Sequence, residues 1–251
     1  TLPITLGFTD NLSGLLRYSL FWQNPSQSQT VYVSGSGAGK TSGSFQPASG
    51  TSLTQYAEQG QYALSHIYLK DEAGNYRIIH ASDLVDYGLT ADQFNFTVSG
   101  STQSDGEAPK ITSVSLSDSN VVVGADGYEL STLPITLGLT DNLSGVSSYG
   151  VYWYNPSRSQ NVYITGSGAV ETSGSFQPES GTSLTQYAEQ GLYTLNFIIL
   201  EDVAGNKILI SNSSLVDHGL TADQFNFTVS GSIQSDGEAP KITSVSLSDS
   251  N

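Results

Sequence analysis

Cysteine and methionine are both absent from the 251 residues. That excludes a disulfide framework, a thiolate nucleophile and a Cys-ligated metal site. Basic residues are scarce: eight Lys plus Arg stand against 23 Asp plus Glu, for a formal net charge of −15. A chain this acidic lacks the basic patch that nucleic acid or an anionic membrane surface requires, so neither is expected as a partner. No apolar run approaches the ~20 residues of a membrane span, so no membrane insertion is expected. No secretory signal opens the chain. Thr1 starts in the middle of a repeated pattern, and the expectation is a piece of a longer protein. What is abundant is Ser, Thr, Gly, Tyr, Asn and Gln. With 37% hydrophobic residues the composition is too apolar and β-prone for disorder, and its acidity suits a secreted protein and divalent cations.

Self-similarity settles the organisation. TLPITLGFTDNLSG starts at Thr1 and TLPITLGLTDNLSG at Thr132, a period of 131 residues. SDGEAPKITSVSLSDSN runs from Ser104 to Asn120 and returns from Ser235 to Asn251. Roughly three quarters of aligned positions are identical, with no gap. A period of that length fits a whole domain better than a solenoid turn. The small, acidic, proline-closed segment SDGEAP at Ser104–Pro109 reads as a linker. The expected division is therefore residues 1–103, a repeat lacking its first strand; 104–234, a complete repeat; and 235–251, the first strand of a third.

Within one copy Leu133, Ile135, Leu137 and Leu139 alternate with polar or small residues, as in a half-buried strand. Tyr149, Val151 and Trp153 alternate next, and Phe225, Phe227 and Val229 near the end. Tyr193 and Leu195 are followed by Ile198 and Leu200, so the phase slips by one residue and predicts a β-bulge near Asn196–Phe197. A short helical turn is expected over Ser213–His218, with Ser213 as cap and Gly219 ending it in the left-handed conformation. Seven or more short strands between Gly, Asn, Asp and Ser turns predict an all-β fold of tandem β-sandwich domains. Trp22 and Trp153 are expected in the two cores.

EAPKITSVSLS, TDNLSGV, the Trp-bearing VYWYNP and GLYTLNFIILEDVAGN together resemble the bacterial immunoglobulin-like tandem repeats (extender domains) of giant surface adhesins. The resemblance spans each copy from end to end. It implies tandem immunoglobulin-like β-sandwiches, an extracellular cell-surface location, and a non-catalytic spacer role. Neighbouring repeats of the same chain or filament are the implied partners, with any glycan or surface ligand bound elsewhere in the full protein.

Catalytic constellations weigh little against that reading: paired carboxylates for glycoside hydrolysis stay open, but most acidic residues sit in turn-like motifs where Asp is ordinary turn chemistry. GSGAGKT at Gly35–Thr41 imitates a phosphate-binding loop, but that signature needs four residues between its first Gly and the Gly-Lys pair. Here Gly35 stands one position too close, the required position holds Ser34, and the second copy reads GSGAVET. A solvated Gly/Ser hairpin loop is expected instead. His66 aligns with Phe197, His80 with Ser211 and His218 with Tyr87, so no histidine site is repeated. Lys110 and Lys241, the matched lysines, flank the linker and are expected to be exposed rather than cross-linked.

The acidic turns carry the one sharp chemical expectation. In an immunoglobulin-like sandwich the first strand begins at the end that bears the B–C and F–G loops. The linker Asp105–Pro109, the loop Asp141–Gly145 (DNLSG) and the loop Asp202–Asn206 (DVAGN) should then converge. Asp105, Glu107, Asp141 and Asp202, completed by Asn142 and Asn206, form a set of hard oxygen ligands suited to calcium. The linker loosely resembles the calcium linkers of cadherin repeats. Asp10 and Asp71 repeat the loop half of the set, and Asp236 and Glu238 the linker half. The bland alternative is Asx-turns without metal. Three functions remain open: a spacer stiffened by calcium, a filament or surface-layer subunit joined by strand exchange, and a carbohydrate-binding module presenting Tyr152, Tyr154 and Tyr163. Tyr152 aligns with Phe21 and Tyr154 with Gln23, so that tyrosine platform is not expected in both copies.

Overall fold

The computed structural model describes residues 2–244. Strands dominate, joined by turns and short 3-10 segments, and they form sandwiches with no long helix. Two compact units result. The first comprises Thr1–Pro109 with two short segments, Asp141–Gly145 and Glu201–Ile208; the second comprises Lys110–Thr140, Val146–Leu200 and Leu209–Asn251.

In the first unit the large sheet runs Ser49–Gly50, Thr30–Lys40, Leu15–Gln23, Gly60–Asp71, Tyr76–His80, with Phe96–Val98 also on Gly60–Asp71. Leu15–Gln23 shows why one face is core: Tyr18, Leu20 and Trp22, spaced by two, are all 0% exposed. Leu6–Thr9 and Ser42–Phe45 form the facing sheet. Phe8 meets the Tyr18 ring at 5.3 Å and Phe45 meets it at 6.3 Å, which closes the sandwich. Trp22 donates its indole N–H to the Phe94 carbonyl at 2.8 Å and meets Phe96 edge-on, so its polar handle is satisfied inside the core.

The second unit repeats this scheme with more chain. Its large sheet includes Phe227–Ser230, Gly191–Asp202, Val146–Tyr154 and Asn161–Ser167. Here Lys110–Leu116 joins Ile135–Thr140 and Ser173–Phe176 to make the facing sheet three-stranded, and Asn120–Val122 runs parallel to Phe227–Ser230. Leu133, Ile135, Leu137 and Leu139 are all buried, as their alternation predicted. Trp153 is 0% exposed and donates to the Phe225 carbonyl at 2.8 Å.

A bulge stands in the first copy at the place equivalent to the one predicted near Asn196–Phe197. In the first copy Phe21 pairs with His66 and Trp22 with Leu64, so Ser65, the counterpart of Asn196, is the extra residue. The helical turn is a 3-10 segment over Asn212–His218 closed by Gly219 in the left-handed region, but Ser211 rather than Ser213 holds the cap position. The Gly35–Thr41 expectation needs a larger correction. Gly35 and Ser36 pair with Tyr18 and Arg17 and Lys40 with Leu15, while residues 37–39 fall in a register shift between them, so the run is the bulged end of the strand Thr30–Lys40 and not a free hairpin loop. The glycine serves close approach: a Cβ on Gly35 would collide with the Tyr18 ring lying opposite it, and Gly166 stands to Tyr149 in the same way. Of the opening strand expected in the third copy, Lys241–Thr243 and Ser244 have no regular structure, and residues 245–251 lie outside the described residues.

Candidate metal centre

Each acidic turn is first a piece of ordinary turn chemistry. Asp141 Oδ2 accepts the N–H groups of Leu143 at 2.9 Å and Gly145 at 2.7 Å, an Asx-turn that Gly145 completes at φ 89°. Asp202 accepts the Asn206 backbone N–H on Oδ1 and the Asn206 side-chain Nδ2 on Oδ2, both at 2.7 Å. Asp10 and Asp71 build the same two turns in the first copy, with Leu12, Gly14 and Asn75 as donors.

What distinguishes the Asp141–Asp202 pair is the arrival of Asp105. Its N–H donates to the Tyr56 carbonyl at 2.9 Å, which hooks the linker to the chain before it. Its Oδ2 accepts the Ser144 N–H at 3.0 Å, and its own carbonyl accepts Asn206 Nδ2 at 3.2 Å. A Cβ on neighbouring Gly106 would lie 2.6 Å from the Glu58 carboxylate, which would have to shift to admit it. Asp105, Asp141 and Asp202 each bring one carboxylate oxygen to within 4.8 Å of the others, all inside the first compact unit.

The electrostatics of this cluster are unfavourable without a cation. Asp105 is 1% exposed and Asp202 2%. Burial, reinforced by the Asp105 and Asp141 charges and opposed by two hydrogen bonds from Asn206, pushes the Asp202 carboxyl up to about 6. Asp141 Oδ1 is shielded from solvent and has no hydrogen-bond partner among the described groups. An orphaned, buried carboxylate oxygen beside two other buried carboxylates is a donor set that suits a hard divalent cation.

The expected ligand set divides accordingly. Asp105, Asp141 and Asp202 come together. Asn206 is fully buried but turns its oxygen to Ser28 Oγ and Asn24 Nδ2, so it positions the carboxylates rather than ligating. Glu107 and Asn142 are exposed and stand outside the cluster. Asp10 and Asp71 form their turns without a third carboxylate among the described residues. Asp236 repeats the linker hook, its N–H donating to Tyr187 O at 3.1 Å, but it is exposed. Glu238 pairs with Lys241 at 3.2 Å. Sequence reasoning missed Ser144, whose hydroxyl accepts the Ala204 N–H at 3.2 Å while its N–H binds Asp105, joining all three segments.

Tyr152 and Tyr163 of the expected tyrosine platform meet in an aromatic triple whose third ring, Phe197, the sequence reading left out. Tyr152 stacks on Phe197 at 4.5 Å beside Tyr163; in the first copy Phe21 stacks on His66 at 4.5 Å beside Tyr32. The first copy places other ring types at the equivalent positions, so the tyrosine platform is not repeated, as expected, and Tyr154 takes no part in the triple. The partner ring His66 faces His80 across paired strands, and burial followed by that neighbour lowers its pKa.

No known protein family matches this chain, and no curated protein matches it. Among solved structures it is similar to Cwp6 from Clostridium difficile, at 14% identity over 56% of this chain and 20% of that one, with a TM-score of 0.31. It is also similar to a tetra-tandem repeat in the extending region of a large adhesion protein, at 18% identity over 82% of this chain and 43% of that one, with a TM-score of 0.26. The chain thus spans less than half the length of either.

Proposed function

We propose that this chain is a non-catalytic spacer segment of an extracellular, surface-anchored tandem-repeat adhesin, and that a calcium ion at Asp105, Asp141 and Asp202 stiffens it. The observation that carries the calcium reading is the buried, unpartnered Asp141 Oδ1 beside two buried carboxylates. Near-identical copies suit a spacer, which needs only length and stiffness, and the Cys-free acidic composition suits an ion as the staple. Three carboxylates offer three to six of the six to eight oxygens that calcium takes, with water supplying the rest.

Asp105 belongs to the linker, whereas Asp141 and Asp202 belong to loops of the repeat that follows it in sequence. An ion held by both sets ties the linker to those loops. Without it the charges repel over at most 4.8 Å, inside the ~8 Å screening length at physiological salt, so salt alone does not relieve them. Melting curves test this. Calcium at a hundredfold excess over its dissociation constant should stabilise by about 2.7 kcal/mol, and Asp105→Ala should remove that gain. Melting that ignores calcium and chelator sinks the metal reading and leaves the spacer reading to a proline-braced linker.

A further inference from the structure

The differences between the two copies gather on one surface. In the first unit Leu15–Gln23, Thr30–Lys40, Gly60–Asp71 and Tyr76–His80 turn one face of their sheet to the core and the other outward. The inward Tyr18, Trp22, Tyr62, Leu64, Ile67 and Ile79 recur unchanged in the second copy. Their outward neighbours do not. Arg17, Ser19 and Phe21 become Ser148, Gly150 and Tyr152, and His66, Tyr68 and Lys70 become Phe197, Ile199 and Glu201. Exposure alone does not account for this, because residues 49–60 and 88–101, many of them exposed, return letter for letter at 180–191 and 219–232. A shared scaffold that varies one outward face fits a face whose ligand is its own in each copy.

In the first copy that face is aromatic and cationic. Phe21 lies between His66 at 4.5 Å and Tyr32 at 6.0 Å. Arg17 lies over the Tyr68 ring at 5.2 Å, and Lys70 stands opposite Arg17 on the next strand. An open trough of about 420 Å³ is lined by Arg17, Ser19, Phe21, Tyr32, His66 and Tyr68. No Asp or Glu occupies an outward position on the four strands, and neither Arg17 nor Lys70 makes an ion pair among the described residues. In a chain of net charge −15 this is a local cationic surface, complementary to an anion. The trough is the size of a small-ligand site that takes a sugar ring or two, whereas a protein partner needs about 800 Å² on each side. Aromatic rings match the C–H patches of a sugar, the hydroxyls of Ser19, Tyr32 and Tyr68 match its hydroxyls, and the Arg17 guanidinium matches a carboxylate. We propose that the outward face of the first repeat binds a carboxylate-bearing sugar chain, built on uronic or sialic acid, in the trough at Arg17. The second copy has Ser148 and Glu201 in place of the two cations, with Glu201 held to Lys207 at 3.6 Å, and does not share this ligand. A spacer needs no ligand, so this adds a binding role and depends on neither the spacer reading nor calcium.

Calorimetric titration of the 251-residue protein tests it, run in chelator so that no calcium bridges the sugar to the acidic cluster. The probes are an oligogalacturonate, sialyllactose and an uncharged malto-oligosaccharide. An acidic sugar should bind, and which of the two binds identifies the source of the carboxylate; the uncharged sugar should bind at least about 10-fold more weakly. Arg17→Ser with Lys70→Glu installs the residues that the second copy carries in its own folded sheet, and should weaken binding by about 10- to 100-fold. Arg158→Gln, which gives the second copy the residue of the first, removes a cation elsewhere and should leave binding unchanged. Failure of both acidic sugars to bind overturns the proposal, as does binding that survives the paired substitution. Equal binding of the uncharged sugar also overturns it. So does poly-glutamate that binds as tightly as the sugar, which would assign the face to an acidic protein instead.

Discussion

Asp141→Asn should stabilise the protein in chelator and destabilise it, relative to the parent, in calcium. The substitution keeps the shape of the side chain. Its remaining oxygen still accepts the Leu143 and Gly145 N–H groups, so the turn survives. The new amide nitrogen takes the place of Oδ1, which has no partner. Two carboxylates within 4.8 Å interact by about 3 kcal/mol at an effective dielectric of ~20. Asp141 is partly exposed, which reduces that to about 1–2 kcal/mol. A hydrogen bond from the new donor to a neighbouring carboxylate adds about 1 kcal/mol. The metal-free variant should therefore melt about 5–10 °C above the parent. In calcium the ion loses an anionic ligand, so most of the calcium-dependent rise disappears and the order of the two melting temperatures reverses. Differential scanning calorimetry of both proteins, with calcium and with chelator, reads all four values. A variant that melts below the parent in chelator would refute the claim that Asp141 is held there against repulsion.

Three further outcomes follow from the packing. Trp153→Ala removes a fully buried ring and leaves the Phe225 carbonyl without its donor, so denaturant unfolding should show a loss of about 3–5 kcal/mol. Tyr62, Tyr149 and Tyr193 have their phenols pushed up to about 12, by burial first and then by Glu58, Glu179 and Glu189 respectively. Because these folded values exceed the ordinary value of 10, the neutral phenols contribute stability that is complete below pH 10. It is lost as pH rises towards 12, by up to about 3 kcal/mol for each ring. Ultraviolet titration should show these three ionising late and together with unfolding, and early ionisation in the folded protein would contradict their burial. Gly106→Ala should disturb the linker hook through the Glu58 carboxylate and lower calcium affinity, and an unchanged calorimetric titration would show that the approach is not needed.

Much of the β architecture was legible because burial on one face leaves a period of two. Leu133 to Leu139 and Tyr149 to Trp153 announced their strands, and the slip after Leu195 announced a bulge that the first copy shows at Ser65. The convergence of Asp105, Asp141 and Asp202 was legible from strand order, since loops at one end of a sandwich are neighbours whatever their separation in sequence. The division of labour among those residues was not. Nothing in DVAGN says that Asn206 turns its amide inward and its oxygen to Ser28, because that depends on a contact made by a distant segment. The Gly-rich run at Gly35–Lys40 imitated a loop because glycine there makes room for Tyr18, a cross-strand reason with no local signature. Of the aromatic triple only Phe197 escaped notice, because the first copy has His66 in its place.

The central claim is mechanical: an ion shared by the linker and the loops that follow it makes the repeat array stiff. Small-angle scattering of the dilute protein measures this in calcium and in chelator. The account predicts a longer, narrower distribution of interatomic distances in calcium and a shorter, broader one in chelator, with Asp105→Ala giving the chelator curve in both. Superimposable curves with and without calcium would contradict it.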